Sequence, residues 1–265
     1  MNRTISQWSL FILIVASALF GGAVFRWGTH SDEELSDYFR PSLSRHTQLA
    51  QVVPPLDTGL AGHWKFDDGS GLTASDSSGN GNGGVLTNGP VWTSGKVGGA
   101  LEFHGDDLER VDMGDVLDLT SNFTLAAWFL WNPNPSDSPY VLAKRGAAQG
   151  YNIWIQTGNN IAFLDGAGAI IDTGHDSTMG QWQHVVFVVD SSGTVLTGYK
   201  NGVAGSPKTI TAVPANAIPL YIGFRSGGNT NNDFKGVIDD VRIYNRALSA
   251  SEVLELYNSA ASPTP

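Results

Sequence analysis

Short runs of hydrophobic residues, broken by polar and glycine-rich segments, recur along most of the chain. The runs are rich in aromatic and β-branched residues and are bounded by Gly, Asn, Asp and Pro, which is typical of antiparallel strands. They are GHWKFD (62–67), ALEFH (100–104), FTLAAWFLW (123–131), YVLAKR (140–145), YNIWIQ (151–156), NIAFLD (160–165), WQHVVFVVD (182–190), VLTGYK (195–200), PLYIGF (219–224) and VIDDVRIY (237–244). Between them, Asp190-Ser-Ser-Gly193 and Asn201-Gly202 supply residues that tolerate the positive φ of hairpin turns. We therefore predict one all-β antiparallel sandwich.

Only the end of this region has a helical pattern. Ser249-Ala-Ser-Glu252 is a capping box, and apolar residues follow it at Val253, Leu254, Leu256 and Tyr257. The pattern predicts a short C-terminal helix that docks on one sheet.

The N-terminal segment is a single uncharged hydrophobic stretch rather than a series of short runs. Residues 8–25 carry no charge, and 18 apolar or small residues are near the lower limit for spanning a bilayer. Arg3 precedes this stretch and acidic residues follow it, which weakly places the N-terminus in the cytoplasm. We predict that residues 1–28 form a transmembrane anchor or, alternatively, a cleaved signal peptide. The protein is then expected in the cell envelope, membrane-anchored with an extracytoplasmic domain, or secreted if the segment is cleaved.

The remaining boundaries follow from composition. Residues 29–58 are mostly polar and contain Pro54-Pro55, which predicts a stalk or linker. The sandwich is predicted over 59–260, with a tail at 261–265.

Charge and cysteine content narrow the function classes. The 265 residues carry a formal net charge of −10, which argues against a nucleic-acid partner because phosphate binding needs clustered Lys and Arg. The absence of cysteine excludes disulfides, thiolate metal sites and a cysteine nucleophile.

The sequence also argues against an enzyme. Glycoside hydrolysis needs two carboxylates at a defined separation, but the β region contains only Glu102 and Glu109 as glutamates and has no alternating E-x-D-x-E pattern. Asp239-Asp240 are adjacent and would point to opposite faces of a strand. No histidine stands beside a G-x-S-x-G turn.

Several blocks, in order, resemble the bacterial laminin G-like, concanavalin A-like jelly roll. The blocks are GLAGHWKFDDGSG, DSSGNGNGG, GGALEFHG, FTLAAWF, GQWQHVVFVVD, YKNGV, LYIGFR and FKGVIDDVRIYNRALSASEVLELY. The resemblance covers roughly residues 60 to 258 and implies a jelly-roll sandwich. It further implies a secreted or surface module that binds a glycan, a protein or a structural calcium ion.

The glycine-rich loop 76–84 offers a partial metal motif. Its opening resembles a calcium-binding loop, but the twelfth position is Thr87, which cannot supply the closing carboxylate. Asp76 therefore either accepts backbone N–H groups of its own turn or contributes one ligand to a site completed elsewhere.

The resemblance implies that the first and last strands lie near each other. Asp67 or Asp68, Asp76, and Asp239 or Asp240 could then converge on a calcium ion. Strict alternation places Asp239 on the face of Val237 and Val241, where a buried carboxylate needs backbone amides, a cation or a metal. The candidate metal ligands are Asp67, Asp76 and Asp239.

A polar strand face is the candidate ligand site. Alternation places Asn152, Trp154 and Gln156 on one face of 151–156, and sugars dock on aromatic rings flanked by amides. Arg225, in the loop 225–233, is assigned to the same site. Lys144, Arg145 and Asp165 could line the same region. The alternative is that Trp154 caps the sandwich edge.

These observations favour a non-catalytic cell-surface module that binds a carbohydrate or surface polymer, with calcium as a candidate cofactor. The alternatives are a protein–protein adhesion or structural module and, third, a glycoside hydrolase.

Overall fold

A computed structural model describes residues 54–105, 107–132, 137–146, 149–227 and 232–261. The predicted N-terminal membrane or signal helix, most of the predicted stalk and residues 262–265 lie outside these ranges. Among the described residues, no helix is both long enough and apolar enough to cross a membrane.

The described residues form short strands followed by a helix, in the order that the hydrophobic runs predict. The strands are β1 (Leu60–Trp64), β2 (Thr73–Ala74), β3 (Gly84–Thr87), β4 (Val91–Ser94), β5 (Gly99–His104), β6 (Arg110–Asp112), β7 (Phe123–Trp131), β8 (Tyr140–Arg145), β9 (Gly150–Ile155), β10 (Asn160–Leu164), β11 (Ile170–Asp176), β12 (Trp182–Asp190), β13 (Val195–Lys200), β14 (Val203–Ala204), β15 (Lys208–Thr209), β16 (Tyr221–Ile222) and β17 (Lys235–Tyr244). The helix is α1 (Ala250–Ala261).

The strands make two antiparallel sheets. Sheet A has the order β14-β13-β12-β7-β17-β5-β4, with β1 paired to β17 and β15 paired to β13. Sheet B has the order β11-β10-β9-β8-β16-β6-β3-β2. Neighbours in both sheets come from distant parts of the chain, as the pairing of β7 with both β12 and β17 shows. The predicted antiparallel β-sandwich with a short C-terminal helix is confirmed.

The core lies between the two sheets and is built from one face of each strand. Its largest members are aromatic, and they are Trp64, Phe66, Phe103, Phe123, Phe129, Trp131, Tyr151, Phe163, Phe187 and Phe234. Alternation along each strand leaves the other face of each sheet outside this core.

Helix α1 covers part of the outer face of sheet A. Val253 and Leu256 of the helix pack with Val186, Val188 and Tyr244 of the sheet. The predicted capping box forms, because the backbone N–H of Ser249 donates to Glu252 Oε2 at 2.8 Å and the N–H of Glu252 donates to Ser249 Oγ at 3.3 Å.

Strand β17 contains a bulge that changes its face pattern. Asp240 has a positive φ of 45°, and the register with β7 shifts between Asp239 and Arg242. Ile238 and Val241 both point into the core. The expectation that Asp239 shares the face of Val241 is therefore wrong, because the extra residue of a bulge reverses the alternation beyond it.

Candidate functional site

The outer face of sheet B presents the residues that alternation selected in β9. Tyr151, Ile153 and Ile155 lie in the core between the sheets, so Asn152 and Trp154 lie on the opposite face. In the register of β8 with β9, Tyr140 lies opposite Trp154 and Ala143 lies opposite Asn152. Tyr140, Ala143, Leu164 and Trp154 form a separate apolar cluster on this face. We call this surface the aromatic face.

The two aromatic rings at its centre are stacked. The ring centroids of Tyr140 and Trp154 are 5.7 Å apart, with 12° between the ring planes. The indole N–H of Trp154 donates to the carbonyl of Ser138 at 3.0 Å, which fixes the orientation of the indole. Trp154 lies outside the core and is partly exposed, so it presents apolar ring surface on the outer side of the sheet.

Arg225 extends over the same aromatic pair. Its guanidinium carbon lies 5.4 Å from the centre of the Tyr140 ring. Its Nη1 donates to the carbonyl of Gly146 at 3.5 Å and its Nη2 donates to Asn232 Oδ1 at 3.3 Å, which are both long contacts. The sequence assigned Arg225 to this region, and the structure places it there.

Asn152 is fully buried, yet its amide is incompletely hydrogen-bonded. Its Nδ2 donates to the carbonyl of Leu164 at 3.4 Å. Its Oδ1 has no hydrogen-bond donor within the part of the chain that the structure describes. A buried acceptor without a donor costs about 1–3 kcal/mol, and because the side chain has no exposed surface this oxygen lies beneath the aromatic face.

The other residues predicted for the site lie in different environments. Arg145 is buried on the aromatic face, where burial and the neighbouring Arg225 lower its pKa. Gln156 lies just beyond β9, in the turn that the backbone N–H of Asn159 closes onto its carbonyl. Asp165 directly follows β10, and its carboxylate accepts the backbone N–H groups of Ala167, Ala169 and Thr211.

Lys144 is not part of the aromatic face. Its register partner Tyr151 is a core residue, and its Nζ lies 2.5 Å from Asp115 Oδ1 and 2.8 Å from the carbonyl of Ile218. The expectation that Lys144 lines the ligand site with Arg145 is wrong, because consecutive strand residues point to opposite faces.

The sequence analysis did not identify Tyr140, nor a second aromatic cluster on sheet B that consists of Arg110, Tyr221 and Phe224. The guanidinium carbon of Arg110 lies 5.7 Å from the ring centre of Tyr221 and 5.3 Å from that of Phe224. Val111 and Ile222 are core residues, so Arg110 and Tyr221 lie on the outer face of sheet B. A local pattern gave no signal for these residues, because the order of strands in the sheet decides which side chains become neighbours.

Asp76 organises the glycine-rich loop through hydrogen bonds. Its Oδ1 accepts the backbone N–H groups of His63 and Ser78, both at 2.9 Å. Its Oδ2 accepts the Ser78 hydroxyl at 2.8 Å and the Asn82 backbone N–H at 2.9 Å. Gly79 and Gly81 have φ values of 86° and 78°, which glycine adopts without strain. The carboxylate therefore faces four donors, whereas calcium requires oxygen acceptors.

The other two candidate metal ligands are also bound by backbone amides. Asp67 Oδ1 accepts the N–H of Gly99 at 2.7 Å, and Asp239 Oδ2 accepts the N–H of Val97 at 2.8 Å. Among the described residues, no three Asp, Glu or His side chains are grouped so that they could hold a metal ion. The donor set does not fit the calcium site that Asp67, Asp76 and Asp239 were expected to form, and thermal unfolding with and without calcium tests whether the chain binds the ion.

We expect calcium to have no effect on the melting temperature. A ligand that binds only the folded state must raise its stability, and the three carboxylates already face N–H groups. Thermal unfolding in EDTA should match thermal unfolding in millimolar calcium, with magnesium as the control for ionic strength. A higher melting temperature in calcium alone would contradict this expectation and support a calcium site.

A cavity of about 240 Å³ lies away from the aromatic face, beside Lys65, Asp67, Asp240 and Arg242. Its charged groups are partly satisfied by one another. Asp240 Oδ1 lies 2.6 Å from His63 Nε2 and 3.1 Å from Arg242 Nη2. We assign the candidate site to the aromatic face instead, because it is the only place among the described residues where stacked rings, a buried unsatisfied amide oxygen and a guanidinium lie together.

Solved structures with a similar fold come from several kinds of protein. Domain 4 of AbnA, a GH43 extracellular arabinanase from Geobacillus stearothermophilus, solved in complex with arabinotriose, is 25% identical, with a TM-score of 0.64 over 75% of this chain and 98% of that chain. The binding domain of Paraclostridial Mosquitocidal Protein 1 is 21% identical, with a TM-score of 0.64 over 77% of this chain and 53% of that chain. Trypanosoma rangeli sialidase is 19% identical, with a TM-score of 0.60 over 77% of this chain and 33% of that chain.

Sequence comparison gives a relative and a family. The adhesion G-protein coupled receptor V1 of Danio rerio is 26% identical over an alignment of 159 residues, and this alignment covers 54% of this chain and 2% of the receptor. The family described as the concanavalin A-like lectin/glucanases superfamily matches residues 103–254, more than half of the chain. With the antiparallel sandwich already established, this match shows that the chain belongs to the concanavalin A-like lectin/glucanases superfamily.

Proposed function

We propose that this domain is a non-catalytic recognition module that binds carbohydrate on its aromatic face. The observation that carries the proposal is the stacked pair of Tyr140 and Trp154, with Asn152 and Arg225 beside it.

The chemistry of this face suits a sugar. The C–H faces of a pyranose or furanose ring pack on aromatic surfaces, whereas sugar hydroxyls need donors and acceptors at defined positions. Trp154, which is partly exposed, supplies the apolar surface, and the buried Tyr140 stacks against it. The guanidinium of Arg225, which is partly exposed, supplies donors for sugar oxygens.

Similarity to a carbohydrate-bound domain supports the same ligand class. Domain 4 of AbnA, which was solved with arabinotriose, is 25% identical and is matched over 98% of its length. Membership of a lectin and glucanase superfamily is consistent with carbohydrate recognition but does not choose between binding and hydrolysis.

Binding without catalysis is supported by the state of the nearby carboxylates. Glycoside hydrolysis needs a pair of carboxyl groups, one of which must be able to give a proton to the leaving group. Asp165 is held by three backbone N–H groups, which lower its pKa against the opposing effect of burial. Asp112 lies on the outer face of sheet B and accepts the N–H of Gly114 at 2.9 Å. A carboxylate with a lowered pKa, as at Asp165, is not suited to act as a general acid.

The proposed location is the cell envelope, with the domain displayed outside the cytoplasmic membrane or released if the N-terminal segment is cleaved. The uncharged stretch 8–25 supports this location, because its length and hydrophobicity suit a membrane anchor or a signal segment.

Replacing Trp154 with Ala is expected to weaken glycan binding by about tenfold to a hundredfold, because burying a large apolar side chain against the ligand contributes about 1.5–3 kcal/mol. The measurement is a glycan panel followed by titration calorimetry on the best ligand. The full-length chain should be used in a detergent without a sugar headgroup, since 8–25 is apolar.

Trp92→Ala is the matched control. Trp92 lies on β4 of sheet A and is also partly exposed, so its loss should leave glycan affinity unchanged. Equal affinities for Trp154→Ala and the unaltered chain would overturn the assignment of the site. Failure of the unaltered chain to bind any glycan would overturn the carbohydrate function and favour a protein partner.

A further inference from the structure

We propose that the aromatic face selects carbohydrates that carry carboxylate groups, and that Arg225 binds the carboxylate. This inference rests on the proposed carbohydrate function and narrows it to acidic sugars.

The distribution of arginine is the first reason. The chain is acidic overall, with a formal net charge of −10. Residues 54–261 contain arginine at five positions, which are 110, 145, 225, 242 and 246. Arg110 and Arg225 stack on aromatic rings of sheet B and its loops, and Arg145 is buried beside them. Three of these five arginines therefore lie on the outer side of sheet B, although the protein as a whole is acidic.

The pairing of these arginines is the second reason. On the side of sheet A, Arg242 pairs with Asp240 at 3.1 Å and Arg246 pairs with Glu252 at 2.6 Å. By contrast, no described Asp or Glu lies within 4.0 Å of the guanidinium nitrogens of Arg110 or Arg225. Arg242 and Arg246 therefore form ion pairs within the protein. Arg110 and Arg225 have no carboxylate partner among the described residues.

The environment of Arg225 is the third reason. Its described hydrogen-bond acceptors are a carbonyl and an amide oxygen at 3.5 and 3.3 Å, and its buried Nε has no acceptor in the described part of the chain. The guanidinium lies over Tyr140, an arrangement that leaves the N–H groups at its edge able to bind a carboxylate through two parallel hydrogen bonds. A partly buried cation with only neutral acceptors gains most from an anionic ligand.

The acidic residues nearby do not neutralise this charge. The carboxylate of Asp165 accepts N–H groups from Ala167, Ala169 and Thr211, and Asp112 accepts the N–H of Gly114. These carboxylates hold turns together. A carboxylated sugar stacked on Trp154 would bring the missing negative charge to Arg225, whereas a neutral sugar would leave it unpaired.

The test compares acidic polysaccharides with their own neutral derivatives. Polygalacturonate, alginate and hyaluronan are each measured beside the methyl ester of the same polymer, with the full-length chain in a detergent without a sugar headgroup. At least one acid form should bind about tenfold or more tightly than its ester, because hydrogen bonds to a charged group contribute about 1.5–3 kcal/mol. The preference should shrink as salt is added.

Variants assign the preference to Arg225. Arg225→Gln should bring the affinities for acid and ester together, with a larger loss for the acid than for the ester, because the aromatic pair remains while the charge and the donors of Arg225 are lost. Arg225→Lys should retain part of the preference because the charge remains. Lys208→Gln, which removes an exposed positive charge from β15, is the control and should leave the preference unchanged.

The outcomes separate this inference from the proposed function. Equal binding of acid and ester by the unaltered chain, or a preference that survives Arg225→Gln, would overturn the role of Arg225 while leaving carbohydrate binding intact. An equal loss with Lys208→Gln would show nonspecific charge attraction and would also overturn it. Failure to bind any acid, ester or neutral glycan would overturn both proposals.

Discussion

Replacing Asp76 with Ala is expected to lower the free energy of unfolding by about 3–4 kcal/mol, because the substitution leaves three partly buried backbone N–H groups without an acceptor. The carboxylate accepts four hydrogen bonds, from the N–H groups of His63, Ser78 and Asn82 and from the Ser78 hydroxyl. These bonds tie the loop 76–84 to β1, and their loss should release it. Urea unfolding followed by tryptophan fluorescence measures the change.

The effect of Asp76 should depend on pH. Burial alone would raise its pKa, but the hydrogen bonds from Ser78, His63 and Asn82 outweigh burial and lower the pKa below its ordinary value of 3.8. A depressed folded-state pKa stabilises the fold above the unfolded-state pKa and loses that stabilisation as the pH falls through the folded-state value. The difference between the unaltered chain and Asp76→Ala should therefore be constant near neutrality and shrink in acid.

Asp68→Ala is the matched control for this prediction. Asp68 is exposed and nearby in sequence, and its Oδ2 accepts a single backbone N–H, from Ser75 at 3.2 Å. Its loss should change stability by less than about 1 kcal/mol. If Asp76→Ala and Asp68→Ala were equally stable, Asp76 would not be the residue that fixes the loop.

Replacing Asp239 with Asn is expected to stabilise the protein by about 2–4 kcal/mol at about pH 8. Burial raises the pKa of Asp239 to about 7, and the neighbouring Asp240 adds to the increase although the N–H of Val97 opposes it. Its Oδ1 has no hydrogen-bond donor among the described residues. An amide of the same shape removes the buried negative charge and can keep the hydrogen bond from Val97.

The sign of the pH dependence follows from the raised pKa. Below the ordinary pKa of 3.8, Asp239 is protonated in both states and costs nothing. Between 3.8 and about 7 the folded state retains a proton that the unfolded state has released, so stability falls as the pH rises. Above about 7 the full cost of the buried charge is present. The gain from Asp239→Asn should therefore grow across this window and then level off.

Equilibrium unfolding of both proteins at several pH values in EDTA measures this gain. Glu102→Gln removes a carboxylate from an exposed position on β5 and should show no comparable gain. A variant that is no more stable than the unaltered chain in mild alkali would show that Asp239 carries no buried charge.

The carboxylates that affect stability and the residues of the proposed ligand site lie in different parts of the molecule. Asp76 and Asp239 act on stability through β1, β17 and the turns next to them. The proposed ligand face lies on sheet B, and residues of β8 and β9 form its centre. Substitutions at the two carboxylates should therefore change unfolding without changing the selectivity of the aromatic face, which makes the stability and binding experiments independent.

The candidate site was partly accessible from sequence. Alternation along 151–156 correctly placed Asn152 and Trp154 on the face away from Tyr151 and Ile153. It could not show that Tyr140 stacks on Trp154, since this contact depends on the register of β8 against β9, which shifts near Tyr140. Lys144 was misplaced for a different reason, because alternation within β8 already puts it on the face opposite Arg145.

The sequence by itself determined the short strands, the apolar side of strands without a bulge and the capping box of α1, and it gave binding of backbone N–H groups as one of two roles for Asp76. Each of these depends on residues that are close together in the chain, where backbone geometry fixes a period of two or a local hydrogen bond. Only the tertiary structure decided which strands are neighbours, and therefore brought Arg225 over Tyr140 and placed the turn at Val97 against Asp239. It also introduced the bulge at Asp240 that reverses the faces of β17. Strand order and bulges arise from packing between distant segments, which the local alternation of residues does not encode.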